Sequence, residues 1–414
     1  MKSESTGARH LSLPLLAMFW IAQAVSLFGD RLNNFSLAAL INRFADDPGM
    51  MLTWLYFAMY LPIFTLAPLI GVFIDRLSKR WVLVITDAVR GGLVMLMPIV
   101  FLHTGRFAPI MGLAFLLSTG NIFFLPAKSA LVPELVPPEK LVRTNAILWT
   151  AGIGGVVAGF LLGGIIFDYL SWPACFYIDG ATYFLSSVLL LVIAVRTRRD
   201  RSPVPPGAPP ARLSLAASVR EGIMSLKSVP AVRGPLGIQT IIFFGSGGYS
   251  VLTMHFIREA SPPGSSLGLS AAGLSIGLGM AAGSYLVNRI RPSSRAQARY
   301  WLFACIAPST AVIALGKHLI AIGAGSCALG LAASPLFVLA ESELQERIPE
   351  HLRGRVFSIR EILTKSLFLL SAFLFSMLGG LISREVLLTT LGLVLACIGI
   401  AWIRATRRYD TDAI

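Results

Sequence analysis

The feature that most limits what this chain can fold into is a series of apolar runs, each near the length that crosses a bilayer, separated by short polar segments. A helix rises about 1.5 Å per residue, so about 20 mainly apolar residues cross the roughly 30 Å hydrocarbon layer. Twelve such runs can be laid out: 13–42, 51–74, 81–103, 108–131, 146–167 and 173–195, then 235–257, 266–288, 300–317, 319–340, 356–383 and 386–403. The ninth and tenth separate near Gly316, Lys317 and His318, and the first is long enough to call for tilt or a break near Gly29. Only 14% of the 414 residues are charged, against 55% hydrophobic. A soluble protein of this length needs more charge than that to cover its surface. We therefore expect an all-α membrane protein with twelve transmembrane helices. The first run follows a short basic N-terminus without a convincing cleavage site, so it reads as a retained span.

The net charge of +14 sits in the short segments between apolar runs, which is a topology signal rather than a nucleic-acid footprint. Asp75-Arg76-Leu77-Ser78-Lys79-Arg80, the arginine-rich centre, Arg289, Arg291, Arg295 and Arg299, Arg353 and Arg355, and Arg404, Arg407 and Arg408 all fall on one side of a twelve-span chain. The opposite loops carry Arg43, Arg106, Arg258, Lys317 and Arg384. Both termini are predicted to be cytoplasmic. The stretch 196–234 is rich in arginine and proline and reads as a cytoplasmic linker ending in a short surface helix. It divides an N-terminal six-helix bundle, 1–195, from a C-terminal one, 235–414. The halves also resemble each other. Pro138 and Pro349 stand 211 apart in similar contexts, Asp75-Arg76 and Asn288-Arg289 stand 213 apart, and Phe28-Gly29 and Phe244-Gly245 stand 216 apart. A nearly constant offset of half the chain is the mark of duplication. Duplicated six-helix halves are a transporter architecture, with substrate held between them near mid-membrane.

No enzyme chemistry is visible. The five histidines form no nucleophile or metal motif, the four cysteines are far apart in or beside apolar runs, and no phosphate-binding Walker loop occurs. No cofactor is expected.

Gly71-Val-Phe-Ile-Asp75-Arg76-Leu-Ser-Lys79-Arg80 resembles the signature loop of the major facilitator superfamily, with Ser78 in place of its second glycine. The resemblance implies two pseudo-symmetric bundles and assigns Gly71, Asp75, Arg76 and Arg80 to a conformational latch. Gly155-Val-Val-Ala-Gly159-Phe-Leu-Leu-Gly163-Gly164 resembles the family's antiporter motif, with Phe160 where proline is usual. Tight helix packing explains the same small residues equally well. The arginine motif usual in span four of drug–proton antiporters is replaced by Ser118-Thr-Gly-Asn121. Pro126-Ala127-Lys128 through Pro137, Leu141 to Asn145, Tyr177-Ile-Asp179-Gly through Phe184, and Arg353-Gly354-Arg355-Val356 resemble the branch of the enterobactin exporter and the macrolide efflux proteins. Phe28-Gly29-Asp30 and Pro126-Ala127-Lys128 are also similar to lysophospholipid transporters.

A charge at the centre of a span costs about 3 kcal/mol on insertion scales, so such residues face a cavity or a partner. Gln23, Ser26, Asp30, Asn33 and Asn34 form a polar stripe on the first span, with Asp30 roughly 25 Å along it at the helical rise. Two readings stand: the stripe lines the pathway and Asp30 binds a cation or proton, or Asp30 belongs to a structural ion pair. Asp87 and Arg90 are spaced to pair on one helical face, as a structural pair at the cytoplasmic gate or as a substrate contact. Lys128 either snorkels to the interface or meets an anion. Asp179 reads as structural. Asn121 and Lys365 are further candidates for substrate or proton binding. Glu341, Glu343 and Glu346 beside Arg347, Arg353 and Arg355 suggest a second, intracellular salt-bridge latch. The expectation is a monomeric secondary transporter of the bacterial inner membrane, working by alternating access without ATP. It would export a small amphipathic compound, a drug or siderophore, against protons. The alternatives are a lysophospholipid transporter and a non-transporting sensor or scaffold. Its partners would be substrate, protons and membrane lipids, with no nucleic acid.

Overall fold

The computed structural model describes residues 13–66, 77–136, 138–196, 230–287, 289–291, 294–316, 318–348 and 353–411. Within them the chain forms twelve α-helices and no strand. They are α1 (Leu13–Phe44), α2 (Pro48–Thr65), α3 (Lys79–Thr104), α4 (Phe107–Leu135), α5 (Pro138–Ile165) and α6 (Trp172–Arg196). After residue 230 come α7 (Arg233–Ala260), α8 (Leu267–Val287), α9 (Arg295–Leu315), α10 (Leu319–Arg347), α11 (Arg353–Leu378) and α12 (Arg384–Thr411). Among the described residues, ten helices are long and apolar enough to cross a membrane; α2 and α5 are the other two.

The distribution of side chains is the reverse of a soluble protein's. Polar groups such as Gln23, Asp87, Arg90, Asp179 and Gln239 are buried, while Trp301, Leu315, Ile320 and Leu381 are exposed. In lipid such apolar surface is stable, and the backbone polar groups are satisfied within each helix. Prolines therefore occur inside α2 (Pro62), α3 (Pro98), α9 (Pro308) and α10 (Pro335). The α3–α4 hairpin turns at Gly105, whose φ of 61° is the left-handed cap conformation that glycine adopts without strain. Five residues of π-helix, Ile166–Leu170, end α5.

By their internal contacts the helices sort into two compact units. The first takes α1 up to Leu37 and the chain from Ala58 through α6; the second takes Ala38–Phe57 and α7 to α12. The same packing recurs inside each. In the first, α3 lies against α4 and α6; in the second, α9 lies against α10 and α12. In the second unit Asp47 meets His255 at 3.4 Å, and the Thr53 hydroxyl donates to the Ala372 carbonyl at 3.2 Å.

Of the tilt or break expected in the first span, the structure shows no break, because α1 runs unbroken through Gly29. The glycine is used for close approach instead. A side chain there would overlap the side chains of Asp179 and Thr182 on α6. The small residues of the fifth span are likewise backed against α1, where a Cβ on Gly159 would stand 2.8 Å from that of Arg31. The linker, with its expected surface helix, lies outside the described residues over 197–229.

Candidate functional site

The first unit buries a polar cluster between α1, α3, α4 and α6. Arg90 on α3 is its centre. One guanidinium nitrogen pairs with Asp87 one turn earlier on α3, and the other donates to Asn121 Oδ1 on α4 at 2.5 Å. The guanidinium plane is held between two rings, 4.3 Å from the Phe124 centroid and 4.5 Å from that of Tyr183. Arginine suits this place because its flat cation can stack and donate sideways at once. The second oxygen of Asp87 accepts from Ser186 on α6 at 2.7 Å. Tyr183, a turn away, donates its phenol proton to Asp30 on α1. Asp30 is thereby tied to the cluster through α6.

Close helix approach makes the cluster possible. Gly91 lets α3 lie on α6, with a notional Cβ only 3.1 Å from the Gly180 carbonyl and 3.2 Å from the Tyr183 Cβ. Gly120 leaves room on α4 for the stem of Arg90, whose Cγ would be 3.0 Å from a Cβ there. Lys128, partly buried on α4, places its ammonium 5.6 Å from the Phe124 centroid, on the ring that also receives Arg90. No carboxylate pairs with it among the described residues.

The structure therefore brings Asp30, Asp87, Arg90, Asn121 and Lys128 into one neighbourhood. Gln23 and Asn33 are buried on α1 at 1% and 2% exposure, each with one amide atom lacking a partner, whereas Asn34 is exposed and stands apart. Lys365 belongs to the second unit, 3.8 Å from Glu361 and 5.1 Å from the Phe243 centroid. Gly71, Asp75 and Arg76 lie outside the described residues, and Arg80 is half-buried in the first turn of α3. Arg353 and Arg355 open α11, with side chains outside the described set. Glu341 accepts from Arg360 at 2.6 Å and from Gln239 at 2.7 Å. Glu343 pairs with Arg299 across α9 and α10.

On α6, sequence reasoning singled out Asp179, read as structural, but missed Thr182, Tyr183, Ser186 and Ser187. Asp179, Thr182, Tyr183, Ser186 and Ser187 are all buried on it. Their spacing of three, four, seven and eight is one helical face. That stripe was the available signal. The second unit carries a different feature, a cavity of about 280 Å³ between α7, α8, α9, α10 and α12. Its lining is mostly apolar, with Ile241, Phe243, Met280, Ile306, Phe337 and Leu391. Of the hydroxyls nearby, Tyr249 pairs with Ser326 at 2.8 Å and Ser284 with Ser334 at 2.6 Å, while Ser246 and Thr310 donate to backbone carbonyls of their own helices.

A family model described as Major Facilitator Superfamily matches residues 19–367. The chain belongs to that superfamily. The uncharacterized MFS-type transporter YfiS of Bacillus subtilis (strain 168) is 24% identical over 54% of this chain and 52% of its own length, so the chain matches about half of that relative. The lysophospholipid transporter LplT of Serratia proteamaculans (strain 568) is 29% identical over 40% of this chain and 39% of its own. BacE of Bacillus subtilis (strain 168), a protein named for bacilysin export, is 23% identical over 71% of each. Among solved structures, a bacterial homolog of the human lysosomal transporter Spinster, captured inward-facing and unoccupied, aligns with a TM-score of 0.70 at 11% identity. That alignment covers 96% of this chain and 98% of the other, and it establishes a shared fold. Relatives and structural neighbours alike are transporters rather than enzymes. With ten apolar helices in this fold, the protein is a multi-pass membrane protein.

Proposed function

We propose that the protein is a secondary active transporter that exports an amphipathic small compound, drug- or siderophore-like, across a bacterial inner membrane in exchange for protons. The bundles 1–195 and 235–414 would be the two halves that alternate access, in a monomer with both termini in the cytoplasm. The single observation that carries this reading is the intramembrane cavity of the second unit, apolar yet bordered by hydroxyls. Ligand pockets are mostly apolar with a few placed polar groups, and run from about 300 Å³ upward. The cluster around Arg90 supplies the charged groups a membrane protein retains only for a purpose. Similarity to BacE supports outward transport.

A second reading is favoured by one observation, the Lys128 ammonium with no carboxylate partner among the described residues. It fits an anionic headgroup, and with the similarity to LplT it supports movement of a lysophospholipid between leaflets.

The test is flux through the purified protein in proteoliposomes, with and without an imposed pH gradient. One arm uses ethidium as a cationic amphipath, the other 1-acyl lysophosphatidylethanolamine. Gradient-accelerated movement of ethidium supports export. Movement of the lysolipid alone, lost in Lys128→Gln, favours the second reading. Binding of both without flux of either overturns both readings and leaves a sensor or scaffold.

A further inference from the structure

The polar cluster of the first unit contains three buried or part-buried carboxyls, and one of them has an oxygen with no hydrogen-bond partner. Asp87 is served by Arg90 and by the Ser186 hydroxyl. Asp30 is served by the Tyr183 phenol. Asp179, on α6 and 0% exposed, is served least. Its Oδ1 has only the Thr182 hydroxyl, 3.3 Å away, and that hydroxyl lies closer, at 2.7 Å, to the Asp179 backbone carbonyl. Its Oδ2 has no hydrogen-bond partner at all.

The charged and titratable groups that face Asp179 do not resolve this. Asp30 on α1 and Asp87 on α3 act on it as like charges, and Arg90 on α3 acts as the opposite one. Tyr183, on the same helix, faces both Asp30 and Asp179. The guanidinium of Arg90 is already committed to Asp87 and Asn121 and is fixed between two rings. An ionised carboxylate left unpaired in such a place costs several kcal/mol.

Space then decides what can neutralise it. Gly29 of α1 lies directly on the carboxyl: a single methyl group there would overlap both Asp179 Oδ1 and Thr182 Oγ1, and would stand 3.2 Å from the Thr182 Cβ. A hard metal cation needs a shell of six or so oxygens at roughly 2.0–2.6 Å; none fits between Gly29 and Oδ1, and among the described residues no cluster of histidine, cysteine and carboxylate groups could hold one. A proton needs none.

We infer that Asp179 is the carboxyl that takes up and returns the coupling proton, with α1 at Gly29 as the cover that must lift for the exchange. This rests on the proton-coupled reading above. Uptake forms an O–H bond at Oδ2 with a proton from water on one side of the membrane, and release breaks it to water on the other. Neither step involves oxidation or a further reactant. Because the docked position of α1 tolerates only the neutral acid, loss of the proton biases α1 away from α6. That is the differential stability a two-state switch requires.

The experiment is infrared difference spectroscopy of the full-length protein in lipid nanodiscs, titrated from mildly acidic to mildly alkaline pH. A carboxylic acid in its protonated form gives a C=O stretch that carboxylates lack. That band should be present in the wild type, be lost in Asp179→Asn, and persist in Asp30→Asn. Gly29→Ala, which forces α1 off the carboxyl, should keep the band and speed its shift on transfer to deuterium oxide at least several-fold. If Asp179→Asn misfolds, this exchange measurement still decides, since a band whose exchange ignores Gly29→Ala is not the acid under α1. Persistence of the band in folded Asp179→Asn, or its absence from the wild type, overturns the assignment and leaves proton coupling intact. Wild-type flux indifferent to a pH gradient, with the band assigned to Asp179, overturns the coupling role and the reading beneath it.

Discussion

Arg90 holds together groups from three helices, so its removal separates what packing contributes from what charge contributes. Both Arg90 and Asp87 are essentially fully buried, at 1% and 0% exposure. Removing one partner of a buried pair leaves an uncompensated charge and costs about 3–5 kcal/mol, whereas replacing both with apolar groups of similar size is often neutral. Arg90→Met should therefore lower the melting temperature sharply, and the double variant Asp87→Leu/Arg90→Met should recover most of the loss in the same assay. Arg90→Lys should recover only part, because a lysine cannot reach Asp87 and Asn121 together while stacked between Phe124 and Tyr183. Asp30 is a different case. Its described partner is one phenol, so Asp30→Asn keeps a hydrogen bond to Tyr183 and should fold in normal amount while losing transport. Normal flux by that variant in proteoliposomes would sink its functional role. The sequence disclosed the Asp87–Arg90 pair because the two share a turn. It did not disclose Tyr183, Ser186 or Asn121 as their partners, since those contacts join residues between 31 and 99 positions apart. Local spacing carries no information about such meetings.

At the scale of helices, apolar length located the elements, and the boundary between α9 and α10 fell where glycine, lysine and histidine interrupt it. What length could not reveal is which glycine serves which neighbour. Gly29 was read as a weak point in α1 and is instead a contact surface, because a glycine's role depends on what lies opposite. Adjacent glycines on α3 give a controlled test. Gly91 faces α6 with backbone and side-chain atoms at 3.1–3.2 Å from a notional Cβ, while Gly92 has nothing within 4 Å. Gly91→Ala should push α3 from α6, lower the melting temperature by several degrees and weaken flux through the disturbed Arg90 cluster. Gly92→Ala should be neutral or slightly stabilising, since alanine in an unstrained helix position gains roughly 0.5–1 kcal/mol over glycine. Thermal melting of the two variants side by side checks this. Equal loss in both would mean that helix flexibility, not the α3–α6 approach, is what these glycines provide.

For the whole molecule, the charge of +14 is an argument about orientation. Lysine and arginine in short loops resist translocation, so the richer side is predicted to be cytoplasmic. The loop between α3 and α4 holds one arginine, Arg106, and the segment between α8 and α9 holds two, Arg289 and Arg291. Both Arg106 and Arg291 are exposed, so a cysteine at either is reachable from its own side of the membrane. With the exposed native Cys305 and Cys397 replaced by serine, Arg106→Cys should react with a membrane-impermeant thiol reagent in intact cells. Arg291→Cys should react only after the cells are opened. If Arg291→Cys labelled from outside and Arg106→Cys did not, the chain would be inverted. The cytoplasmic placement of the arginine-rich loops and of both termini would then have to be abandoned, while the direction of exchange would not, since an inward proton gradient drives an antiported substrate outward whichever way the protein is inserted.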